Sequence, residues 1–318
     1  VDAAAIADRF DLGARATLSG GPVARGKQGA VWRLTTADGR WAVKVPFRHE
    51  DEEALAPAAA FQEAAAASGV PAPRIRRTTD GALFAVVGGI RLRVYEWVDL
   101  GEPDPMLDPE LVGAAVAATH RVPGAEHAAA FSDPDRWYLD PVGATRWDAL
   151  IAELDGAGAP FTADLAALRD ELVALESWLA PPAAARTCHR DLAAGNLVPA
   201  VAGGVCVIDW ENSGPADPAQ ELGVVLFEYA RTDPGRARAL VSAYEDAGGI
   251  ARVTGHGDFT MLIAQLGHIT ELAAADWLRP NDRSPDRSHA EAWIREVLDD
   301  PHTRARLDTL LAGITHRG

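Results

Sequence analysis

Residues 187–218 read TCHRDLAAGNLVPAVAGGVCVIDWENSGPADP, and this stretch decides the fold. Asp191 stands five positions before Asn196, a short apolar hairpin turning at Gly203 and Gly204 follows, and Asp209 ends the run VCVI. Phosphoryl transfer needs such a set. A carboxylate must orient or deprotonate the acceptor hydroxyl, and two further oxygen ligands must hold the Mg²⁺ that bridges the nucleotide phosphates. Asp191 fits the first role, and Asn196 and Asp209 fit the second. Any one of these residues alone reads as a turn or cap residue; the ordered set is what carries the chemistry.

Working outward, residues 15 to 98 read as strands. AVWRLTT, a turn at Asp38 and Gly39, and RWAVKVPF form a hairpin signature, and LFAVV and IRLRVYEWV are joined by Gly88 and Gly89. Between these hairpins an Ala- and Glu-rich helix is predicted from about Asp51 to Ser68. After Gly101 the period becomes helical. Asp108 caps, Pro109 takes the first turn, and Leu111, Val112, Ala115 and Val116 share a face. A second helix carries Leu165, Leu168, Leu172, Leu175 and Leu179 behind Thr162, and further helices are predicted at about 219–230, 234–247, 258–278 and 288–313. The expected architecture is α+β with two lobes, a β-rich unit over 1–98 and a larger helical unit over 99–318, and a ligand is expected in the cleft between them.

Bulk properties narrow the function. The chain has 318 residues, 48% of them hydrophobic, which suffices for real cores. Its apolar stretches are Ala-rich, broken by charge and shorter than a membrane span, and the N-terminal VDAAAIADRF is no export signal. Cys188 and Cys206, both in apolar surroundings, read as reduced core thiols, which fits a cytoplasmic location. A net charge of −16 argues against nucleic acid, because phosphate neutralisation needs an excess of Lys and Arg. It suits a cationic partner or plain solubility.

The same residues resemble a known family. HRDLAAGN matches the catalytic loop of protein-kinase-like enzymes, and IDWENSGPADPAQELG is similar to the metal-binding segment of the aminoglycoside phosphotransferase and choline kinase group. The resemblance implies a bilobal protein-kinase-like fold, ATP or GTP with Mg²⁺ as cofactors, and a small-molecule acceptor, in a monomer or homodimer. It implies that Lys44 in WAVKV pairs with nucleotide phosphates and that the turn in RGKQGAVW, Gly26, Lys27, Gln28 and Gly29, covers them. The backbone of Glu96, Trp97 and Val98 in VYEWVDLGEP would hold the base. Asp217 would be the aspartate that holds the catalytic loop, with Glu221 standing where the family often has aspartate.

Other positions depart from the family pattern. The helix glutamate that pairs with the strand lysine has two candidates, Glu53 and Glu63, of which Glu53 begins its helix near Lys44. Arg190 stands where the antibiotic kinases commonly have glycine. The stretch from Asp209 to Asp217 is too short for a long activation loop, so Arg190 and His189 read as scaffold. For the acceptor there is only composition: Asp133, Asp135, Asp140 and Asp148 among Trp137, Tyr138 and Trp147, and Glu228, Glu271 and Asp276 on helices beside Trp277. Carboxylates with aromatic faces suit ammonium groups. Three readings stand open: a kinase for an aminoglycoside or other cationic antibiotic, a metabolic kinase for a sugar, choline-like amino alcohol or macrolide, and a nucleotide-binding pseudokinase.

Overall fold

The alternating runs before residue 98 close into a single sheet. The computed structural model describes residues 2–26, 29–127, 129, 132–280 and 286–315; Lys27 and Gln28 of the glycine turn, and the side chain of Asp133, lie outside what is described. The chain divides into two units, though not at one point: residues 1–104, 122–124 and 195–213 form the first, and residues 105–121, 125–194 and 214–318 the second.

In the first unit, β1 (Thr17–Leu18), β2 (Ala24–Arg25), β3 (Gly29–Thr35), β4 (Arg40–Pro46), β5 (Ile75–Arg76), β6 (Ala85–Val87) and β7 (Ile90–Glu96) make a seven-stranded sheet. Its spine is β1-β3-β4-β7-β5, with β2 on β3 and β6 on β7. Gly88 and Gly89 turn the β6–β7 hairpin at φ 58° and 79°, values that cost a residue with a Cβ. Period two then sorts the side chains. Trp41, Val43, Leu92 and Val94 face a core completed by Ile6, Ala7 and Phe10 of α1 (Ala3–Phe10). Burying side chains such as Ile6 and Phe10 contributes about 1.5–3 kcal/mol each. The opposite parity sends Lys44 and Arg93, cross-strand partners on β4 and β7, to the other face. The predicted helix forms as α2 (Glu52–Ala67), capped by Asp51.

The short strands β8 (Arg186–Cys188), β9 (Leu197–Pro199), β10 (Val205–Val207) and β11 (Gly214–Ala216) form two ribbons. β9 pairs with β10 in the first unit, and β8 with β11 in the second.

The second unit holds α3 (Pro109–His120), α4 (Ala144–Ala157), α5 (Thr162–Glu176), α6 (Pro218–Ala230), α7 (Pro234–Asp246), α8 (Thr260–Leu278), α9 (Arg287–Leu298) and α10 (Arg304–Thr315). Its core includes Trp147, Leu150, Phe161, Leu165, Trp277 and Ile294. Three expectations change. The helix predicted over 288–313 is two helices, because Pro301 lacks the N–H and clashes with the preceding turn. α5 stops at Glu176, so Leu179 lies beyond it, and Leu111 is exposed although it begins an apolar repeat. α4 forms between Gly143 and Gly158, where no helix is predicted. Cys188 and Cys206 are buried free thiols. Among the described residues no helix is long and apolar enough to cross a membrane.

His302, in the turn between α9 and α10, is 1% exposed, and neither ring nitrogen has a hydrogen-bond partner among the described residues. Burial pushes its imidazole from 6.5 down to about 4, against a weaker upward pull from Glu171. Above pH 6.5 both folded and unfolded chains carry it neutral. As the pH falls towards 4 the unfolded chain takes up a proton that the folded chain refuses, which removes about 3 kcal/mol of stability. The thermal midpoint of the wild type should therefore fall faster than that of His302→Leu between pH 7 and pH 4. Parallel curves would rule this out.

Candidate active site

Hairpin register sets the first pair of site residues. Leu197 lies opposite Val207, and the next rung is closed by the Ile208 N–H donating to the Asn196 carbonyl at 2.8 Å. Asn196 and Asp209 therefore end neighbouring strands. Asp209 adopts a left-handed φ of 59°, a region aspartate tolerates better than most residues with a Cβ. The turn it starts buries Trp210, whose indole N–H donates to the Val207 carbonyl at 2.9 Å and whose ring meets Phe61 edge-on at 5.4 Å. Asp209 itself stays more than half exposed.

Lys44 is 9% exposed, yet it is charged because it is paired. Its ammonium donates to Asp209 Oδ1 and to Glu211 Oε1, each at 2.7 Å. Burial works to lower the lysine pKa, and the charges of Glu211 and Asp209 overcome it and raise the pKa. Glu211 shows the mirror image: burial works to raise it, and Lys44 and Arg93 hold it down at about 2. The helix glutamates expected to pair with Lys44 do not. Glu63 forms a two-pronged ion pair with Arg77, and Glu53 lies exposed in the first turn of α2. Glu211, two residues beyond Asp209 in IDWEN, takes that place; the sequence signal was present in the motif but not in the helix where it was sought.

These residues line one end of a cavity of about 560 Å³ in the first unit, with Val31, Ala42, Tyr95, Val98, Val198 and Ile208 among its walls. Of the three expected base-contacting N–H groups, two are used internally: Glu96 donates to the Arg74 carbonyl and Trp97 to the Arg40 carbonyl. Val98 makes no such bond among the described residues. The Gly26 N–H donates to the Gly29 carbonyl at 2.9 Å. The donor set fits a nucleotide with Mg²⁺: a carboxylate and an amide oxygen for a hard cation, a lysine for phosphate, and apolar walls for a base. Asn196 and Asp209 would hold the cation, and Lys44 the phosphates.

In the second unit the catalytic-loop sequence is pinned from behind. Arg190 sits at φ 67°. Its backbone N–H donates to Glu221, and its guanidinium bonds Asp135 and lies 4.4 Å over the Tyr138 ring. Gly214 makes room for that guanidinium, since a Cβ there would stand 2.6 Å from it. Glu221 also meets His120 Nε2 at 2.8 Å, and His120 Nδ1 meets the Tyr244 hydroxyl at 2.8 Å. That hydroxyl accepts from the N–H groups of Ile250 and Ala251, each at 3.1 Å. With its lone pairs engaged, it donates to Nδ1, so the neutral tautomer carries its proton on Nε2 and gives it to Glu221. Glu221, not Asp217, thus grips the residue before Asp191. Asp217 caps α6 and accepts from Ala183 and Ala184.

The residues expected to meet an acceptor divide. Glu228 on α6 accepts from the Ala194 N–H at 3.1 Å, so it borders the catalytic-loop sequence. Glu271 is paired with Arg146 at 2.6 Å and with His268 at 3.5 Å, and Asp276 is 3% exposed. Asp135, Asp140 and Asp148 pair with Arg190, Arg136 and Arg169. Trp147 and Trp277 are core residues, and Trp137 stacks on His268 at 5.0 Å.

No curated protein matches the chain. Among solved structures, an aminoglycoside phosphotransferase from Alicyclobacillus acidocaldarius superposes with a TM-score of 0.59 at 18% identity, over 92% of this chain and 90% of that one. A spectinomycin phosphotransferase bound to ADP and spectinomycin gives 0.61 at 13% identity, over 94% and 92%. An amicoumacin kinase with AMP-PNP and Ca²⁺ gives 0.59 at 15% identity, over 96% and 95%. These likenesses are of fold, and they make this a bilobal protein-kinase-like fold with a β-rich N-terminal part and a helical C-terminal part. A family model described as phosphotransferase enzyme family matches residues 20–256, and the chain belongs to that family.

Proposed function

We propose that the chain is a small-molecule kinase that moves the γ-phosphoryl of a nucleoside triphosphate, ATP or GTP, to a hydroxyl of a low-molecular-weight acceptor. The observation that carries this reading is the meeting of Lys44 and Asp209 at 2.7 Å in the lining of the cavity, with Asn196 opposite Ile208, the residue before Asp209, across the hairpin. A bound Mg²⁺ would neutralise charge developing on the transferred phosphoryl. Lys44 exchanges its bond to Asp209 for a phosphate oxygen, and Glu211 keeps the ammonium in place. Asp191 takes the acceptor hydroxyl as a hydrogen bond and draws its proton. Glu221 and the His120–Tyr244 chain behind it fix the backbone from which Asp191 projects. The pseudokinase reading is set aside because Lys44, Asp191, Asn196 and Asp209 are all present.

For the acceptor we favour an amine-bearing hydroxyl compound of the aminoglycoside kind. Support comes from the net charge of −16, from Glu228 beside the catalytic-loop sequence, and from the acceptors that the structural neighbours' names carry. Glu271 and Asp276 contribute less than composition suggests, since one is neutralised and the other buried. A sugar, an amino alcohol or a macrolide is the competing class, and one measurement separates them. Exposed ion pairs are screened over about 8 Å at physiological ionic strength, so KM for a cationic acceptor rises with salt and KM for a neutral one stays flat.

Asp209→Asn should abolish most Mg²⁺-dependent turnover and shift the Mg²⁺ titration to higher concentration; wild-type activity at limiting Mg²⁺ would remove Asp209 from the cation site. Asp191→Asn should lower kcat by about 10² to 10⁴ with nucleotide affinity nearly unchanged. A large loss of nucleotide binding, with no separate effect on the chemical step, would place Asp191 in the scaffold instead.

A further inference from the structure

Lys44 and Arg93 are cross-strand neighbours on the same face of the sheet, both nearly buried. Two like charges in that position repel unless an anion bridges them. Glu211 is the bridge, since one oxygen, Oε1, accepts from Lys44 Nζ and from Arg93 Nη2, each at 2.7 Å. The same Arg93 nitrogen meets Glu50 at 3.1 Å. Lys44, Arg93 and Glu211 have side chains 8–12% exposed, Glu50 18%, and Asp209 54%.

The exposures separate two kinds of carboxylate. Asp209 is open to solvent and available to an arriving cation. Glu211 is enclosed beside Lys44. A glutamate side chain has three rotatable bonds, so an enclosed carboxylate keeps one position only if something holds it. Of the acids of α2, Glu52 accepts from the Leu83 N–H, Glu63 pairs with Arg77, and Glu53 is exposed.

We propose that Arg93 is a positioning residue for phosphate binding: clamped between Glu50 and Glu211, it fixes Glu211 so that Lys44 stays aimed into the nucleotide cavity after Asp209 has turned to a cation. This inference rests on the kinase reading above. It makes the posture of Lys44 a property of β7 and of the turn after Asp209, and not of α2.

The test is calorimetric and needs no acceptor. Binding of the nucleoside triphosphate and of its parent nucleoside is measured, with and without Mg²⁺, for the wild type, Arg93→Met, Arg93→Lys, Glu211→Gln and the double variant Arg93→Met/Glu211→Gln. Hydrogen bonds to charged groups are of a size that makes a loss of about tenfold the expectation for Arg93→Met with the triphosphate. The nucleoside, which has no phosphate for Lys44, should bind as before. Arg93→Lys should lose only about threefold, because it keeps the charge without the rigid planar guanidinium whose Nη2 meets both carboxylates. The double variant should bind like Glu211→Gln alone, since Arg93 has then nothing to hold.

The proposal is overturned if Arg93→Met leaves triphosphate affinity unchanged, weakens nucleoside and triphosphate alike, or keeps its full effect in the Glu211→Gln background, which is what a plain field effect of its charge would give. It is overturned equally if Glu211→Gln loses only the Mg²⁺-dependent part of binding, which would make Glu211 a cation ligand. Should Arg93→Met fail to fold, Arg93→Lys carries the comparison, and wild-type triphosphate affinity in that variant overturns the proposal. A wild-type protein that binds no nucleoside triphosphate sinks the kinase reading and this inference together, whereas binding that ignores Arg93 sinks this inference alone.

Discussion

A lysine ammonium inside a sheet-lined pocket must be paired or lose its proton, and that requirement shapes the first unit. Moving an unpaired ammonium out of water is costly enough that an isolated one would deprotonate. Lys44 avoids this by meeting two carboxylates, and both come from one short turn, Asp209 to Glu211. The turn can supply them only because Asp209 takes a left-handed conformation while Trp210 goes into the core against Phe61. The side chains thus alternate carboxylate, anchor, carboxylate. Removing the anchor would free both acids, so the packing of one tryptophan and the electrostatics of one lysine are the same problem.

The second unit solves a different problem, which is to hold a strained backbone still. Arg190 has positive φ without being glycine, and such a residue persists where its surroundings over-determine it. Here its N–H, its guanidinium and the face of that guanidinium are each engaged, by Glu221, Asp135 and Tyr138. Behind Glu221 the hydrogen bonds continue through His120 to Tyr244 and the backbone of Ile250 and Ala251, engaging both His120 nitrogens and the Tyr244 hydroxyl. A buried network of this kind rigidifies what it touches. Asp191, the next residue, inherits that rigidity through the backbone.

Charge at the acceptor side shows how far composition can mislead. Counted along the chain, the acids between Asp133 and Asp148, with Glu271 and Asp276, look like a surface made for a cation. Folded, Glu271 faces Arg146 and His268, Asp135 faces Arg190, and Asp148 faces Arg169. An acid already paired offers a cationic ligand little, because binding it would mean releasing an arginine. Glu228 differs in degree: it accepts from a backbone N–H of the loop itself, and its arginine partner, Arg231, stands off at 3.6 Å.

What the sequence determined by itself was whatever depends on near neighbours. The β3–β4 and β6–β7 hairpins follow from period two and their turn residues, α2, α3, α6 and α7 from caps and helical spacing, and the side-by-side placement of Asn196 and Asp209 from the length of one hairpin. The family, too, was legible in HRDLAAGN and IDWENSGPADP. Only the tertiary structure decided which charges meet. Glu211, Arg93 and Lys44 lie far apart along the chain, and the motif pointed to Asp217, where the structure has Glu221 accepting from the Arg190 N–H. The break at Pro301 is a local signal that the 288–313 expectation passed over, whereas the burial of Asp276 and His302 was invisible to local pattern. Side-chain periodicity records which face a residue occupies, whereas the partner of a charge is chosen by packing between elements distant in sequence, and no local spacing encodes that choice.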